Sequence, residues 1–419
     1  MRPNLHVLTG HQVTKVLFDT SDASAVRATG VEYAAYSGAN VNQVYAGREV
    51  ILSGGAINSP AILQTSGVGD ASQLRNLGIE SVVDLPGVGH NVQDHLSASV
   101  IFTPAPNQQL PEFRVTGNPE ADSYVNSAIA YVNISTLFGD YAQTLIDNVR
   151  SNLTNVINSA PVSDTVKQAY NVTYTAQVED VFNTQVGPIE LLFAMGFNSL
   201  MVQVALQHPL SRGSILINSA NPFESPRIDA GYLTQDFDLQ LLREGFKLAR
   251  QVGNAAPLSS HVTGEVVPGT GVSTDDQWDQ WIRNNVGTEY HPSSSCSMLP
   301  RESGGVVDAN LLVYGTQNLR VIDASVPPTA VSAHLMTITY GIGEIGAEIV
   351  KSARQQALRA NDSTSSGGSP SGTPSDSNSN SSGADTGSGA STSSAMTTTL
   401  SLSATMLSTL VVLLALAVW

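Results

Sequence analysis

Two histidines on turn-like stretches frame the part of this chain that is richest in chemistry. His291 stands before Pro292 in TEYHPSSSCSMLP, and His334 follows Ala333 in SAHLMTITY. Imidazole exchanges its proton near neutral pH, so a histidine beside a hydroxyl is suited to take the proton of an alcohol. Between the two lies an apolar run, residues 319–324, that reads as a buried strand with Asp323 at its end. An acid closing a buried strand between two turn histidines describes the floor of an active site. Taken singly, each histidine also fits a structural role, and the sequence alone does not bring the rings together.

The elements that would position these residues follow from local pattern. Short β-like runs occur over 5–18, split at Thr9-Gly10, over 29–36, and over 49–52 leading into Ser53-Gly54-Gly55. A glycine pair after a strand lets backbone approach a ligand. Ser59 as N-cap with Pro60 in the first turn predicts a helix. Further helices are predicted over 141–160 and 162–176, and an amphipathic one over 236–252. Gly341 to Gly346 fits G-x-G-x-x-G, but a polar tail follows where a second strand should stand. Residues 337–357 read instead as one helix with closely packed small residues. No other such fingerprint occurs. Spacing reveals no metal-ligating cluster, and His6, His11, His90, His95, His208 and His261 read as structural.

Several of these stretches together resemble the glucose–methanol–choline (GMC) oxidoreductases, FAD-dependent alcohol and sugar oxidases, and among them fungal glucose oxidases and aryl-alcohol oxidases. The resemblance is carried by GAINSPAILQTSGVG (55–69), LTGHQVTKVLF (8–18), LPGVGHNVQDHL (85–96), HPLSRGSILINSANPFESPRIDAGYL (208–233) and the segment 288–340. It implies an α/β, two-lobed FAD-binding fold with an antiparallel-sheet substrate lobe. The missing fingerprint adds the expectation that only the C-terminal portion is represented, without the N-terminal Rossmann segment. Part of the FAD lobe falls at 1–96, the substrate lobe at 97–207, mixed segments at 208–287 and the catalytic segment at 288–357. The resemblance makes His291 the proton acceptor and His334 its partner. It places Val13 at the adenine end of FAD, Asn91 and Asp94 near the isoalloxazine, and Asp323 and Ala324 at the diphosphate and ribityl chain. Leu335 and Met336 fall at the pyrimidine edge, and Arg320 and Val321 along the approach of oxygen. Gly287 stands where glucose oxidases carry a sugar-binding arginine and Glu289 where they carry asparagine, which points away from glucose. Ser294-Ser295 replaces the usual Gly-Thr pair. The partners implied are a small alcohol or sugar and an oxygen or quinone acceptor. Two alternatives remain at this level: a non-catalytic remnant unable to hold FAD, and a hydroxynitrile lyase on the same fold.

Composition narrows the rest. The 419 residues carry a net charge of −16, which argues against nucleic acid as a partner. Cys296 is the single cysteine, so no intrachain disulfide can form. Sequons at Asn133, Asn152, Asn171, Asn361 and Asn380, a Ser/Thr/Gly-rich linker over 358–405 and an apolar end over 406–419 predict a secreted, cell-surface glycoprotein. Its membrane link would be a GPI signal or a tail anchor. No secretory signal opens the chain.

Overall fold

Alternation of buried and half-buried side chains sets the register of the largest sheet. β7 (Leu96–Pro104) buries Val100 and Phe102, and β10 (Ser199–Leu206) buries Val202 and Val204. Paired antiparallel, they place Val100 directly opposite Val202. β9 (Ile189–Gly196) and β8 (Ser127–Val132) extend the sheet on one side, and β13 (Val262–Val267) on the other. The order is β13-β7-β10-β9-β8, with the two-residue β14 (Gly287–Thr288) also on β7, all antiparallel. This is the antiparallel lobe expected from the resemblance.

One long helix covers that sheet. Residues Asp236–Asn254 carry an apolar face of Phe237, Leu241, Leu242, Phe246 and Ala249, all buried. Two glycines on that face let it close on the strands. A Cβ at Gly245 would lie 2.7 Å from Val204 Cγ1, and one at Gly253 2.0 Å from the Phe102 ring. A second helix, Asp275–Asn285, is started by a capping box between Thr274 and Gln277 and stacks Trp278 on Phe246. Helices Ala142–Ser159 and Asp164–Ala176 complete the lobe close to the predicted bounds.

The other part is built on a meander of β1 (Gln12–Asp19), β2 (Arg27–Ala34) and β3 (Asn42–Tyr45). Beside it β4 (Val50–Leu52) pairs in parallel with β15 (Leu319–Val321), so segments remote in sequence share one ladder. α1 (Gly55–Thr65) follows β4 directly. It starts a turn earlier than predicted, which places Ser59 and Pro60 inside it. Pro60 has no N–H for the Ala56 carbonyl four residues back, and the Ser295 hydroxyl donates to that carbonyl at 2.6 Å instead. Ser59 is no N-cap; its Oγ accepts from Gly54 N–H at 2.9 Å.

The computed structural model describes residues 2–22, 24–106, 117–118, 127–196 and 199–365. Residues Leu335–Ser365 form one helix, longer than predicted, and the G-x-G-x-x-G run lies inside it. The helix therefore takes up the first residues assigned to the linker. The chain divides into two units at Ala347 and Glu348. Among the described residues no helix is long and apolar enough to cross a membrane. The predicted linker and apolar end over 366–419 lie outside the described residues.

Adding a methyl group at Gly253 sets helix propensity against packing. Alanine gains about 1 kcal/mol in a helix over glycine, while overpacking a core costs about 1–3 kcal/mol. Gly253→Ala is expected to destabilise by about 1 kcal/mol, read as a lower urea midpoint with unchanged m-value.

Candidate active site

Two turns meet to make the site. Val92 is bridged to Gly213 and Gln93 to Ser293, the latter pair exchanging both backbone hydrogen bonds at 2.9 and 3.3 Å. Continuing that register puts His95 across from His291. The next paired residues are Leu96 and Thr288. The 288–291 strand therefore carries two extra residues, Glu289 and Tyr290, against none on its partner. Tyr290 takes φ 61° there, and Glu289 N–H still donates to His95 O at 3.0 Å. The bulge aims Glu289 back at the histidine pair.

The side chains converge accordingly. His95 Nδ1 lies 3.1 Å from His291 Nδ1. Glu289 Oε2 lies 3.6 Å from His291 Nδ1 and 3.9 Å from His95 Nδ1. The His291 ring is 5.2 Å from that of His334, centroid to centroid. His334 Nε2 bonds Glu190 Oε1 at 3.1 Å, and Glu190 is fully buried in β9. Asp94 fixes the turn, accepting from His291 N–H at 3.1 Å and from the Tyr232 hydroxyl at 2.5 Å. Burial above all, then the neighbouring His291, lowers the pKa of His95 to about 3. His95 is thus neutral at physiological pH.

Asp323 sits past the end of β15 and is buried. Its Oδ2 accepts from Gly55 N–H at 2.9 Å and Ser59 Oγ at 2.6 Å, and its Oδ1 from Ser325 N–H and Oγ at 2.8 and 2.5 Å. The carboxylate is spent inside the protein. By contrast, no described residue accepts from the backbone N–H of Asp323 or Ala324. Gly55 takes φ +73°, with nothing within 4 Å of where a Cβ would stand. Two free donors and an open glycine turn at a helix start make a cradle for phosphate oxygens. A cleft of about 870 Å³ runs from Gly54 and Asn58 along Val44 and Ile57 to Val13, and neither His291 nor His334 lines it. These residues fit a dinucleotide cofactor through backbone contacts.

The remaining expectations divide. Leu335 is buried and Met336 is 70% exposed at the start of the C-terminal helix. Asn91, at φ 62°, donates to Ser297 Oγ and Pro328 O and accepts from Arg212 Nε, so its side chain ties three segments together. Arg320 forms a two-point ion pair with Glu49 and donates to Asn310 O, and Val321 is fully buried beside it. Both belong to the parallel ladder of β15 with β4.

With this geometry in hand, comparison identifies the class. Two GMC oxidoreductase family models match, one for the N-terminal part at residues 1–97 and one for the C-terminal part at 209–343. The chain belongs to the GMC oxidoreductase family. It is 50% identical over 83% of its length to the GMC oxidoreductase family protein Mala s 12 of Malassezia sympodialis, and 34% identical over 81% to a glucose oxidase of Aspergillus carbonarius. It spans 56% and 54% of those relatives. An FAD-dependent oxidoreductase of Chaetomium thermophilum has TM-score 0.76 at 28% identity, covering 84% of this chain and 63% of its own. A fungal aryl-alcohol oxidase has TM-score 0.73 at 26% identity, covering 82% and 61%. FAD, the cofactor expected from the sequence, is the cofactor of this family. The match at 1–97 corrects the expectation of the C-terminal portion alone, and with it the expectation of a fold without its N-terminal Rossmann segment. One fingerprint motif had been made to stand for a whole domain, whereas residues 1–97 fold as β1–β3, β4 and α1 without it.

Sequence reasoning did not single out Glu190, and it grouped His95, here 3.1 Å from His291, with the structural histidines. A lone glutamate in the apolar run PIELLF is the signal for the first, since an unpaired charge is seldom buried. For His95 the only signal is the strand register.

Two measurements bear on this arrangement. Ser295→Ala strands the Ala56 carbonyl and is expected to cost about 1–3 kcal/mol, which Ser295→Thr should largely avoid. Burial lowers His90 and His208 to about 4 each, from 6.5. The unfolded chain therefore binds protons that the folded chain refuses once pH falls below 6.5. Each histidine should remove about 1.4 kcal/mol of stability per pH unit between 6.5 and 4. Denaturation from pH 7 to 5 checks this, and His90→Gln should flatten the slope by one proton.

Proposed function

We propose that this chain oxidises the CH–OH group of a small alcohol or sugar to a carbonyl, with His291 as general base and His334 as its partner on the hydroxyl. The observation that carries the reading is the 5.2 Å approach of the two imidazoles, with Glu190 fixing one and His95 the other. His95 is neutral, so its Nδ1 can accept the proton on His291 Nδ1. That leaves the lone pair of His291 on Nε2, free to take the hydroxyl proton. Glu190 holds His334 by Nε2 and leaves Nδ1 for the substrate oxygen. FAD supplies the hydride acceptor when bound. The residues that would hold it are the Gly54-Gly55 turn, the backbone of Asp323 and Ala324, Val13 at the adenine end, and the start of the C-terminal helix at Leu335 and Met336.

The substrate is set apart from glucose by Gly287 and Glu289, and the electron acceptor is oxygen or a quinone. The polar linker and apolar end support a secreted protein held at the cell surface.

The test is anaerobic bleaching of the flavin band by a panel of alcohols and sugars. His291→Asn is expected to lower kcat about 10²- to 10⁴-fold with the flavin retained. Folded protein that binds no flavin would mark a non-catalytic chain. Cyanide release from a cyanohydrin without bleaching would mark a lyase.

A further inference from the structure

The space behind His291 is short of one positive charge. Glu289 is 6% exposed at its side chain, and its Oε2 is buried without a hydrogen-bond partner. Asp94 and Glu190 add two more carboxylates around the same histidines. Among the described residues, no lysine or arginine pairs with any of the three. A buried carboxylate oxygen with no donor is costly unless a cation faces it. The group that faces it is a pair of imidazole nitrogens, both able to offer a lone pair.

We propose that His95 Nδ1, Glu289 Oε2 and His291 Nδ1 form a binding site for a divalent cation of the zinc class. The three atoms lie 3.1, 3.6 and 3.9 Å from one another. The point equidistant from three atoms so spaced is about 2.1 Å from each, the length of a zinc bond to imidazole or carboxylate. All three residues come together as one ligand group. Two nitrogens and one oxygen suit zinc and disfavour magnesium, which takes oxygen ligands in an octahedron. An ion at that point is held in a trigonal plane, and a small rise out of it toward a water would give the fourth, tetrahedral bond. The ligands come from both sides of the 93–95 and 289–293 pairing, so an ion there would also pin that junction.

The site stands on its geometry alone. Its consequence for catalysis rests on the reading of His291 as base. An ion on Nδ1 forces the imidazole proton onto Nε2, the nitrogen meant to receive the substrate proton. Zinc would then act as an inhibitor that occupies the back of the base.

The experiment is calorimetric titration of the full chain with zinc chloride, against magnesium chloride. One zinc ion per chain is expected, with no heat from magnesium. Glu289→Gln, nearly isosteric, should weaken zinc at least tenfold, and His95→Asn should do the same. Replacing the exposed His6 and His261 should leave it unchanged. X-ray absorption should show two imidazoles and an oxygen at about 2.0–2.1 Å. No uptake, or uptake that survives Glu289→Gln in a chain whose circular dichroism is unaltered, overturns the site even if His95→Asn fails to fold. A chain that binds zinc but oxidises no alcohol would leave the site standing and sink only the functional reading.

Discussion

The pairing of residues 93–97 with 287–293 is the constraint on which the site depends. Backbone hydrogen bonds between Gln93 and Ser293, and the step from His95 to Leu96 against His291 to Thr288, fix every distance among His95, Glu289 and His291. Side-chain direction alternates along a strand, so a slip of one residue would turn His291 to the opposite face. The bulge at Glu289 and Tyr290 absorbs the mismatch between this short ladder and β7. It does so at a backbone cost, since Tyr290 sits in the left-handed region. Strain of that kind persists where the surroundings over-determine it. Here Asp94 holds the next residue by its N–H, and Glu289 is held by His95 O.

Asp323 plays the matching part on the cofactor side. Four hydrogen bonds to Gly55, Ser59 and Ser325 join the start of α1 to the end of β15. Because the carboxylate satisfies its own neighbours, the Asp323 and Ala324 N–H groups remain free. The acid acts through backbone geometry more than through its charge. Ser295 closes the same joint from below, supplying the donor that Pro60 lacks. A proline inside α1 is thus tolerated because a residue from the catalytic segment completes the helix. The two halves of the matched family regions are interlocked at the level of single hydrogen bonds.

How much was legible follows from which interactions are local. The helices Ala142–Ser159, Asp164–Ala176 and Asp236–Asn254 were readable because their apolar periodicity is a property of adjacent turns. The start of α1 was misplaced because Ser59 and Pro60 mimic a cap, while the actual partners of that turn, Asp323 and Ser295, are more than 200 positions away. Asn91, expected on a turn near the isoalloxazine, bonds Ser297, Pro328 and Arg212 with its side chain, partners too remote in sequence to be foreseen. His291 and His334 were recognisable by resemblance, but the residues behind them were not. Glu190 and His95 acquire meaning only once β9 and the 92–97 strand are seen against them.

That difference bears on specificity. The groups that hold the two histidines come from different places: Glu190 from the middle of the antiparallel sheet, His95 and Glu289 from the edge where β14 meets β7. A change in the sheet lobe can therefore move His334 relative to His291 without touching either. Gly287 and Glu289, which underlie the proposed distinction from glucose, lie in β14 and its bulge. Glu289 sets a buried carboxylate oxygen within 4 Å of two imidazoles. Such a carboxylate favours a metal cation that comes to rest between them. Glu289 thus acts on the electrostatics behind the proposed base.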